Sequence, residues 1–313
     1  MTIHVNKALT FSGHSAGVFA LARAHEPHLF YSGSSDRFIA LWNMELGTAE
    51  KFSAQLPSYI YALLYIKEKN YLAAGTFAGH IHLIDLNKKE EIKILEQHKG
   101  ALFDLKYLPG QNMLAAAGGD GTLSFTSLDD LACKKIVRLC EEKVRNIALN
   151  ADSTEAAISC GDGSIRIFGL GNLAEKGRIE AHKLSANIAA YHPNGKYLIS
   201  GGRDAMMRVW DRMDNFRELS VIPAHNWALY DIVFSPDGSL FATASRDKTL
   251  KIWDSNSFGL LKVVNKEKND SHRSSVNKLL WTSYHDLLVS ASDDRSIMAW
   301  KIEKDETVRF SIN

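Results

Sequence analysis

The apolar residues of this chain fall in short runs of five or six, and clusters of turn-forming residues separate the runs. The clearest stretch begins at residues 229–234, which are rich in β-branched and aromatic side chains and predict a β-strand. Ser235-Pro236-Asp237-Gly238 then predicts a turn, because proline fixes φ and glycine tolerates a positive φ. Three more apolar runs follow, so the stretch predicts four short antiparallel strands, the last three at 240–244, 249–253 and 260–264.

The same unit recurs along the chain with a period of about 42 residues. An aspartate column reads Asp36, Ala78, Asp120, Asp162, Asp204, Asp247 and Asp294. A histidine column, 22 residues earlier, reads His14, Leu56, His98, Cys140, His182, His225 and His272. A third column, six residues after the aspartate column, reads Trp42, Ile84, Thr126, Phe168, Trp210, Trp253 and Trp300. A fixed period of this size indicates stacked copies of one supersecondary unit.

Seven such units account for nearly all of the 313 residues. A single four-stranded sheet cannot bury both of its faces, whereas seven sheets packed around one axis can. The pattern therefore predicts an all-β fold, a seven-bladed β-propeller with four antiparallel strands per blade, as one domain over residues 1–313. The approximate repeats are 12–53, 54–95, 96–137, 138–179, 180–222, 223–269, and 270–313 together with 3–11.

The units resemble WD repeats, whose motif is Gly-His before the first strand and Trp-Asp at the end of the third. Gly13-His14, Trp210-Asp211 and Trp253-Asp254 match this motif, and five other pairs are common variants of it. The resemblance covers essentially the whole chain and is specific for the fold. For function it is weak, because such propellers have many unrelated roles.

Closure of the ring is predicted from the two ends of the chain. The family pairs an N-terminal strand with three C-terminal strands, so Ile3–Phe11 is predicted to form the outer strand of blade seven. The tail at residues 308–312 competes for the same edge. The longest insertion, at residues 266–270, is all polar and predicts an exposed, mobile loop on the face that carries the channel mouth.

Charge, cysteine content and the lack of long apolar runs limit which classes of protein are expected. With 37 basic and 36 acidic residues, the overall charge does not indicate a polyanion-binding surface. The three cysteines have no motif spacing and are expected to be reduced thiols, which suits a cytoplasmic protein. The N-terminal residues do not resemble a secretory signal, and no apolar run is long enough for a membrane span. A cytoplasmic location without membrane contact is therefore expected.

The recurrent histidines and aspartates have a structural interpretation. In WD repeats these residues form a hydrogen-bonded relay from a turn to the tryptophan indole, and a catalytic pair would not recur in four blades. Complete sets are predicted in blades one, five, six and seven. They are His14, Ser32, Asp36, Trp42; His182, Ser200, Asp204, Trp210; His225, Thr243, Asp247, Trp253; and His272, Ser290, Asp294, Trp300. Blade three has Ala116 and Thr126 in two places, and blades two and four are expected to depend on apolar packing.

Other candidates for chemistry are weaker. His80 and His82 have a metal-compatible spacing, but no third ligand lies near in register, and they are expected on a half-exposed strand face. The glycines of residues 118–121 predict a turn, because no helix follows to bind a phosphate. No Gly-x-Ser-x-Gly or Cys-x-x-Cys motif is present. We therefore expect no catalytic residues, no cofactor and no metal, and we do not expect an enzyme.

The resemblance implies binding on the face with the channel mouth. Three positions per blade are expected to reach it: the third and fifth residues after the histidine column and the residue before the aspartate column. The candidate binding residues are Phe19, Tyr59, Tyr61, Phe77, Phe103, Lys143, Arg145, Asn187, Arg203, Tyr230, Arg246 and Asn277. Aromatic residues and arginines dominate interface energetics, although first-strand aromatics also fill gaps between blades. Asp104, Asp231 and Asp293 are expected to offset part of the basic charge.

The leading hypothesis is a non-catalytic protein–protein interaction module or scaffold that binds a protein or peptide segment at the mouth. The predicted segment combines an acidic group with an apolar one, and the ring is expected to be a monomer within a larger complex. One alternative is a small-ligand-binding or enzymatic propeller. Another is a subunit of a nucleic-acid-associated complex, suggested by the basic residues and opposed by the near-zero net charge.

Overall fold

The computed structural model describes residues 2–304 and contains seven four-stranded antiparallel sheets arranged as the blades of a propeller. Strand β1 (Ile3–Phe11) pairs with β28 (Ile297–Lys304) at the outer edge of blade seven. The predicted fold and the predicted ring closure are therefore confirmed. Residues 308–312, the predicted competitor for this edge, lie outside the described residues.

In blades one to six the strands run outward from the central axis in chain order, and in blade seven β26, β27 and β28 are followed by β1 as the outer strand. Blades one to three contain β2 (Val18–Arg23), β3 (Leu29–Ser34), β4 (Phe38–Asn43), β5 (Thr48–Gln55); β6 (Ile60–Ile66), β7 (Tyr71–Thr76), β8 (Ile81–Asp85), β9 (Glu90–Leu95); and β10 (Leu102–Leu108), β11 (Met113–Gly118), β12 (Thr122–Ser127), β13 (Cys133–Arg138). Blades four and five contain β14 (Val144–Leu149), β15 (Glu155–Cys160), β16 (Ser164–Gly169), β17 (Ala174–Glu180); and β18 (Ala186–Tyr191), β19 (Tyr197–Gly202), β20 (Met206–Asp211), β21 (Arg217–Pro223). Blades six and seven contain β22 (Leu229–Phe234), β23 (Leu240–Ser245), β24 (Leu250–Asp254), β25 (Leu260–Val264); and β26 (Val276–Trp281), β27 (Leu288–Ser292) with β28 and β1.

The core lies between the blades. Seven apolar clusters are present among residues 2–304, and each joins two neighbouring blades. One cluster packs Leu240 and Ile252 of blade six against Val276 and Trp300 of blade seven. Because every blade buries one face on each neighbour, a closed ring leaves only the outermost strands with large solvent exposure.

The predicted hydrogen-bonded relay is present in blades one, five, six and seven. In blade five, His182 Nδ1 lies 2.9 Å from Asp204 Oδ1, and His182 Nε2 lies 2.9 Å from Ser200 Oγ. The indole Nε1 of Trp210 donates to the same Ser200 oxygen at 2.9 Å. The four relay aspartates are Asp36, Asp204, Asp247 and Asp294. Each relay satisfies polar groups that the blade buries.

Blade three completes its relay with residues that the columns miss. His98 Nε2 lies 2.7 Å from Ser124 Oγ, on the neighbouring strand β12, because position 116 is an alanine. Gln97 Nε2 donates to both Ser124 Oγ and Thr126 Oγ1 at 2.8 Å, in the role that the indole has elsewhere. A register column detects only residues at a fixed spacing, so it could not find a partner from the adjacent strand.

Two further expectations about the degenerate blades need correction. In blade two, His82 is buried rather than half exposed, with 1% of its surface accessible, and its Nδ1 lies 2.5 Å from Glu91 Oε1. In blade four, Asp162 has new donors in place of histidine, since Ser164 Oγ donates at 2.6 Å and Arg166 Nη2 at 3.4 Å. Polar pairing therefore supplements apolar packing in both blades.

The insertion between blades six and seven forms one helical turn, α1 (Lys266–Asn269), rather than an unstructured loop. Asn265 caps this turn by accepting from Lys268 N, and Asn269 Nδ2 donates to Val5 O at 3.4 Å. Lys7 Nζ lies 2.6 Å from Asp270 Oδ2. The segment is largely solvent-accessible, as its composition predicts, but these contacts hold it on β1. Its mobility stays a prediction.

Candidate functional site

The innermost strand of every blade has a bulge at the same position. The pairing between the first and second strands skips one residue near the start of the first strand. The seven skipped residues are Phe19, Tyr61, Phe103, Arg145, Asn187, Tyr230 and Asn277. A bulged residue leaves the hydrogen-bonded ladder, and its side chain is directed away from the pleat. The fold therefore directs seven side chains, one per blade, out of the pleat at the face of the histidine and aspartate turns, here called the mouth.

Aromatic side chains of blades one to three form one contiguous cluster at the mouth. Tyr61 is at its centre: its ring centroid lies 4.9 Å from that of Phe19 and 6.0 Å from the stacked ring of Phe103. Phe77 lies 5.9 Å from both Tyr61 and Tyr59. Tyr59 and Phe77 are 45% and 54% exposed, so the cluster presents apolar surface to solvent. We call these five residues the aromatic half.

The aromatic half continues directly into the cationic side chains of blades four to six. The guanidinium carbon of Arg145 lies 4.6 Å from the ring centroid of Phe103, and Lys143 Nζ lies 5.8 Å from it. Burial lowers the pKa of Arg145, and the charge of Arg203 lowers it further, while Tyr230 acts in the opposite direction. Arg145 Nε has no hydrogen-bond partner among the described residues. Lys143, Arg145, Arg203 and Arg246 are called the basic half.

Tyr230 lies among the arginines of the basic half. Burial raises the pKa of Tyr230, and the nearby positive charges of Arg246, Arg145 and Arg203 partly offset this effect. Because the cations lie close enough to influence one phenol, they concentrate positive charge on one side of the mouth. Guanidinium groups bind carboxylates and phosphates through paired N–H donors. This side of the mouth can therefore bind an anion.

Two of the predicted residues also hold the ring together. Asn187 Nδ2 donates to Leu229 O of the next blade at 2.8 Å. Asn277 Nδ2 donates to Val18 O at 3.1 Å and to Asp293 Oδ1 at 2.8 Å. Both amide donors of Asn277 are engaged within the protein, whereas Asn187 has one amide N–H and its amide oxygen left to contact a ligand.

The expectation that Asp104 and Asp231 offset the charge of the mouth is wrong. Both carboxylates are buried and accept hydrogen bonds from the next blade, Asp104 from Ile147 N and Asp231 from Leu279 N, each at 2.9 Å. A lysine lies within 3.2 Å of each carboxylate. They point inward because they follow the bulged residue on the strand. Asp293 alone of the three predicted carboxylates is exposed at the mouth.

An exposed tryptophan belongs to the site but was missed by the sequence columns. Trp227 is 56% exposed, and the guanidinium carbon of Arg246 lies 4.8 Å from its ring centroid. Together with Asn226, Ser275 and Asp293 it lines a groove of about 510 Å³ between blades six and seven. The signal was a large aromatic residue in the turn before the first strand, two residues after the histidine column. Leu184 has the same register in blade five and is 51% exposed.

Comparison with known proteins agrees with this architecture. A family model described as "WD domain, G-beta repeat" matches residues 6–43, 89–126, 175–211, 216–254 and 265–301, which together make up more than half of the chain. The chain belongs to this WD40 family. The resemblance drawn from the sequence motifs is confirmed.

Several curated WD40 relatives show moderate similarity. Pre-mRNA-processing factor 19 of Bos taurus is 23% identical over 162 residues, which cover 51% of this chain and 32% of the relative. The 66 kDa stress protein of Physarum polycephalum is 26% identical over 308 residues, or 95% of this chain and 48% of that protein. Eukaryotic translation initiation factor 3 subunit I of Culex quinquefasciatus is 26% identical over 145 residues, covering 42% and 44%. The matches therefore span less than half of each relative's length.

The other polar candidates from the sequence are His80 and His82, and the contact of His82 is structural. His80 lies outside strand β8, and its ring centroid is 6.4 Å from that of His82, whose Nδ1 already pairs with Glu91. Within residues 2–304, no helix is both long and apolar enough to cross a bilayer. Aromatic and cationic side chains meet at the mouth, which is the candidate binding surface.

Proposed function

We propose that this WD40 propeller is a non-catalytic scaffold that binds a segment of a partner protein across the mouth. The observation that carries the proposal is the continuous surface from the exposed Phe77 through Tyr61 and Phe103 to Arg145. Large aromatic and arginine side chains are the residues that contribute most to protein interfaces. A solvent-exposed cluster of them at one end of a rigid ring is typical of an interaction surface.

The bound segment should combine an acidic group with a large apolar side chain. The carboxylate or phosphate would face Arg145, Arg203 and Arg246, whose guanidinium groups can form paired hydrogen bonds. The apolar side chain would pack on Tyr59 and Phe77, where its burial contributes about 1.5–3 kcal/mol. The two contacts together fix the direction of the segment across the mouth.

We further propose that the ring works as one subunit of a larger complex in the cytoplasm. Two relatives carry names that refer to pre-mRNA processing and to translation initiation, which supports a role in an assembly that handles RNA. Direct binding of nucleic acid is the alternative that the basic half favours. Cell fractionation followed by size-exclusion chromatography of native lysate tests both the location and the assembly.

A peptide selection tests the mouth directly. A random peptide library is selected on the intact protein, and enriched peptides are measured by isothermal titration against the double variant Arg203→Glu with Arg246→Glu. We expect peptides with Asp or Glu near Trp, Phe or Leu, and at least a tenfold loss of affinity in the variant. Lys51→Glu with Lys93→Glu is the matched control, since it makes the same charge change on exposed residues of the outer strands β5 and β9.

Several outcomes would contradict the proposal. Equal affinity of the enriched peptides for the folded variant and the wild type would show that the basic half is only a solvated surface. Steep loss of binding to single-stranded RNA with added salt, without peptide binding, would favour the nucleic-acid alternative. Turnover of a small molecule that depends on mouth residues would favour an enzyme.

A further inference from the structure

Blade four has a pair of cysteines where the other blades have their relay. Cys140 occupies the histidine column, and Cys160 ends strand β15. Both are buried, Cys140 with 9% and Cys160 with 0% of its surface accessible. The two sulfur atoms and one carboxylate oxygen of Asp162 all lie within 4.8 Å of one another. This dithiol has no role in the mouth described above.

The neighbouring blade shows why the two side chains face each other. Cys140 and Cys160 stand 42 residues before His182 and Gly202. A Cβ atom built on Gly202 would lie only 2.6 Å from His182 Cγ, so in blade five the histidine ring occupies the space that a side chain would take. Blades one, six and seven combine the histidine with Ser34, Ser245 and Ser292 at this position. In blade four the smaller Cys140 leaves room for the side chain of Cys160. In blade four the two sulfur atoms lie within 4.8 Å of each other, so a disulfide requires them to approach to about 2.05 Å.

The two thiols differ in acidity. The Cys140 thiol donates to Glu142 O at 3.1 Å, and the Cys160 thiol donates to Ile158 O at 3.7 Å. The interaction between the two thiols lowers the pKa of Cys140, which burial and the charge of Asp162 oppose. The same interaction raises the pKa of Cys160, and burial raises it further. The thiolate is the nucleophilic form of cysteine, so Cys140 is the thiol that reacts first. Cys140 is also the more accessible of the two.

A metal ion is the competing occupant, and the surroundings disfavour it. Asp162 already accepts from Ser164 Oγ at 2.6 Å and lies near two guanidinium groups, Arg166 Nη2 at 3.4 Å and Arg178 Nη2 at 3.8 Å. A divalent cation at Asp162 would be repelled by both arginines. Structural zinc also takes four protein ligands, whereas this group supplies three.

We propose that Cys140 and Cys160 form a reversible intramolecular disulfide when the protein meets a hydroperoxide. The Cys140 thiolate attacks a peroxide oxygen, the O–O bond breaks, and an alcohol or water leaves, so Cys140 becomes a sulfenic acid. The Cys160 sulfur then attacks the Cys140 sulfur. The S–S bond forms as the S–O bond breaks, and the departing hydroxide takes the Cys160 proton and leaves as water. Two thiols are oxidised, and one peroxide is reduced by two electrons.

The proposed disulfide would lie next to the turn that leads to Lys143 of the basic half. Gly161 N, next to Cys160, donates to Lys143 O at 2.7 Å. A covalent bond between residues 140 and 160 would fix this turn, and with it the position of Lys143, relative to strand β15. Reduction would release that constraint while the strand pairing of blade four stays intact.

The test uses the purified full chain, reduced, desalted and titrated with hydrogen peroxide. Free thiols are alkylated after denaturation and located by mass spectrometry. We expect the three alkylated cysteines to fall to one, Cys133, with the peptides containing Cys140 and Cys160 crosslinked, and dithiothreitol to restore all three. Cys133→Ser is the matched control and should still form the bridge. Cys160→Ser should instead accumulate sulfenic acid at Cys140, detected by dimedone labelling.

Three results would overturn the proposal. The first is that Cys140 and Cys160 stay alkylatable at peroxide concentrations that oxidise the exposed Cys133. The second is overoxidation of Cys140 without any crosslink to Cys160. The third is about one zinc ion per chain in the protein as purified, lost in Asp162→Ala, which would assign the thiols to a metal site. The wild-type titration decides the question even if a variant fails to fold.

Discussion

Removal of the relay carboxylate in blade five should destabilise the propeller strongly. Asp204 accepts from Arg208 Nη1 at 3.0 Å and from Met206 N at 3.2 Å, and it lies 2.9 Å from His182 Nδ1. Burial alone would raise the pKa of Asp204, but the hydrogen bond and charge of His182, with the bond from Arg208, outweigh burial and hold this pKa well below its usual range. The carboxylate is therefore bound in its charged form.

The magnitude follows from the groups that lose the carboxylate of Asp204. The side chain of His182 has 0% and that of Arg208 has 11% of its surface accessible, so water can replace the lost acceptor only in part. Arg208 keeps Glu218 as a partner at 3.2 Å, and its Nη1 lies 2.8 Å from His182 Nδ1, so neither group loses every partner. Because a buried polar group that loses its partner costs about 1–3 kcal/mol, we expect Asp204→Ala to lower the free energy of unfolding by about 2 kcal/mol. Asp204→Asn keeps one acceptor oxygen and should cost less than Asp204→Ala.

Asp162→Ala is the matched control, because it removes the same column residue from blade four. Asp162 is more exposed, and Arg166 keeps Glu175 as a partner at 3.0 Å after the substitution. We expect a cost below about 1 kcal/mol, as for an exposed ion pair. Urea melts followed by tryptophan fluorescence measure both variants, provided that the slopes agree. Equal midpoints for the two alanine variants would refute the reasoning.

Three further predictions concern stability. Ser124→Ala should lower the free energy of unfolding by about 1–3 kcal/mol, because buried His98 loses its partner, and an unchanged urea midpoint would contradict this. Lys278→Met should cost about 2 kcal/mol, because buried Asp231 loses its cation and keeps only backbone donors. Adding Asp231→Asn should recover part of that cost, and a double variant as unstable as the sum would argue against the pair. The relay aspartates have lowered pKa values in the fold, so their contribution to stability should be lost below about pH 4, and the lowered pKa values of buried His98 and His225 should add a loss of stability below about pH 6.5, because in both cases the unfolded chain takes up protons first. Urea midpoints that rise on acidification would contradict that sign.

The local structure of the blades was predictable because its determinants repeat. The turn chemistry of residues 235–238 and the apolar runs around it define four strands, and the 42-residue period extends that assignment to the degenerate blades. The relay was predictable in four blades, where every member keeps its spacing. The prediction missed the partner of His98 in blade three. That partner is Ser124 on the adjacent strand, and its spacing to His98 is not the spacing of the column.

Only part of the candidate site could be predicted from the sequence. Column register identified the seven residues that the structure shows as bulged, but not the bulges themselves, which depend on strand pairing. It also placed Asp104 and Asp231 at the mouth, whereas they bind the next blade. Trp227 lay outside the chosen columns altogether.

The sequence by itself determined the seven blades, their strand order and the four complete relays. Apart from the closing pair of β1 with β28, these features depend on contacts within about 42 residues that each copy repeats. Only the tertiary structure decided which side chains meet between blades. Tyr61 touches Phe103, and Arg145 continues that surface, because closure of the ring brings residues of successive repeats to the same mouth. Closure also decides which residues are buried, since every apolar cluster joins two neighbouring blades. Contacts between copies have no fixed sequence signature, because either neighbour can supply the partner.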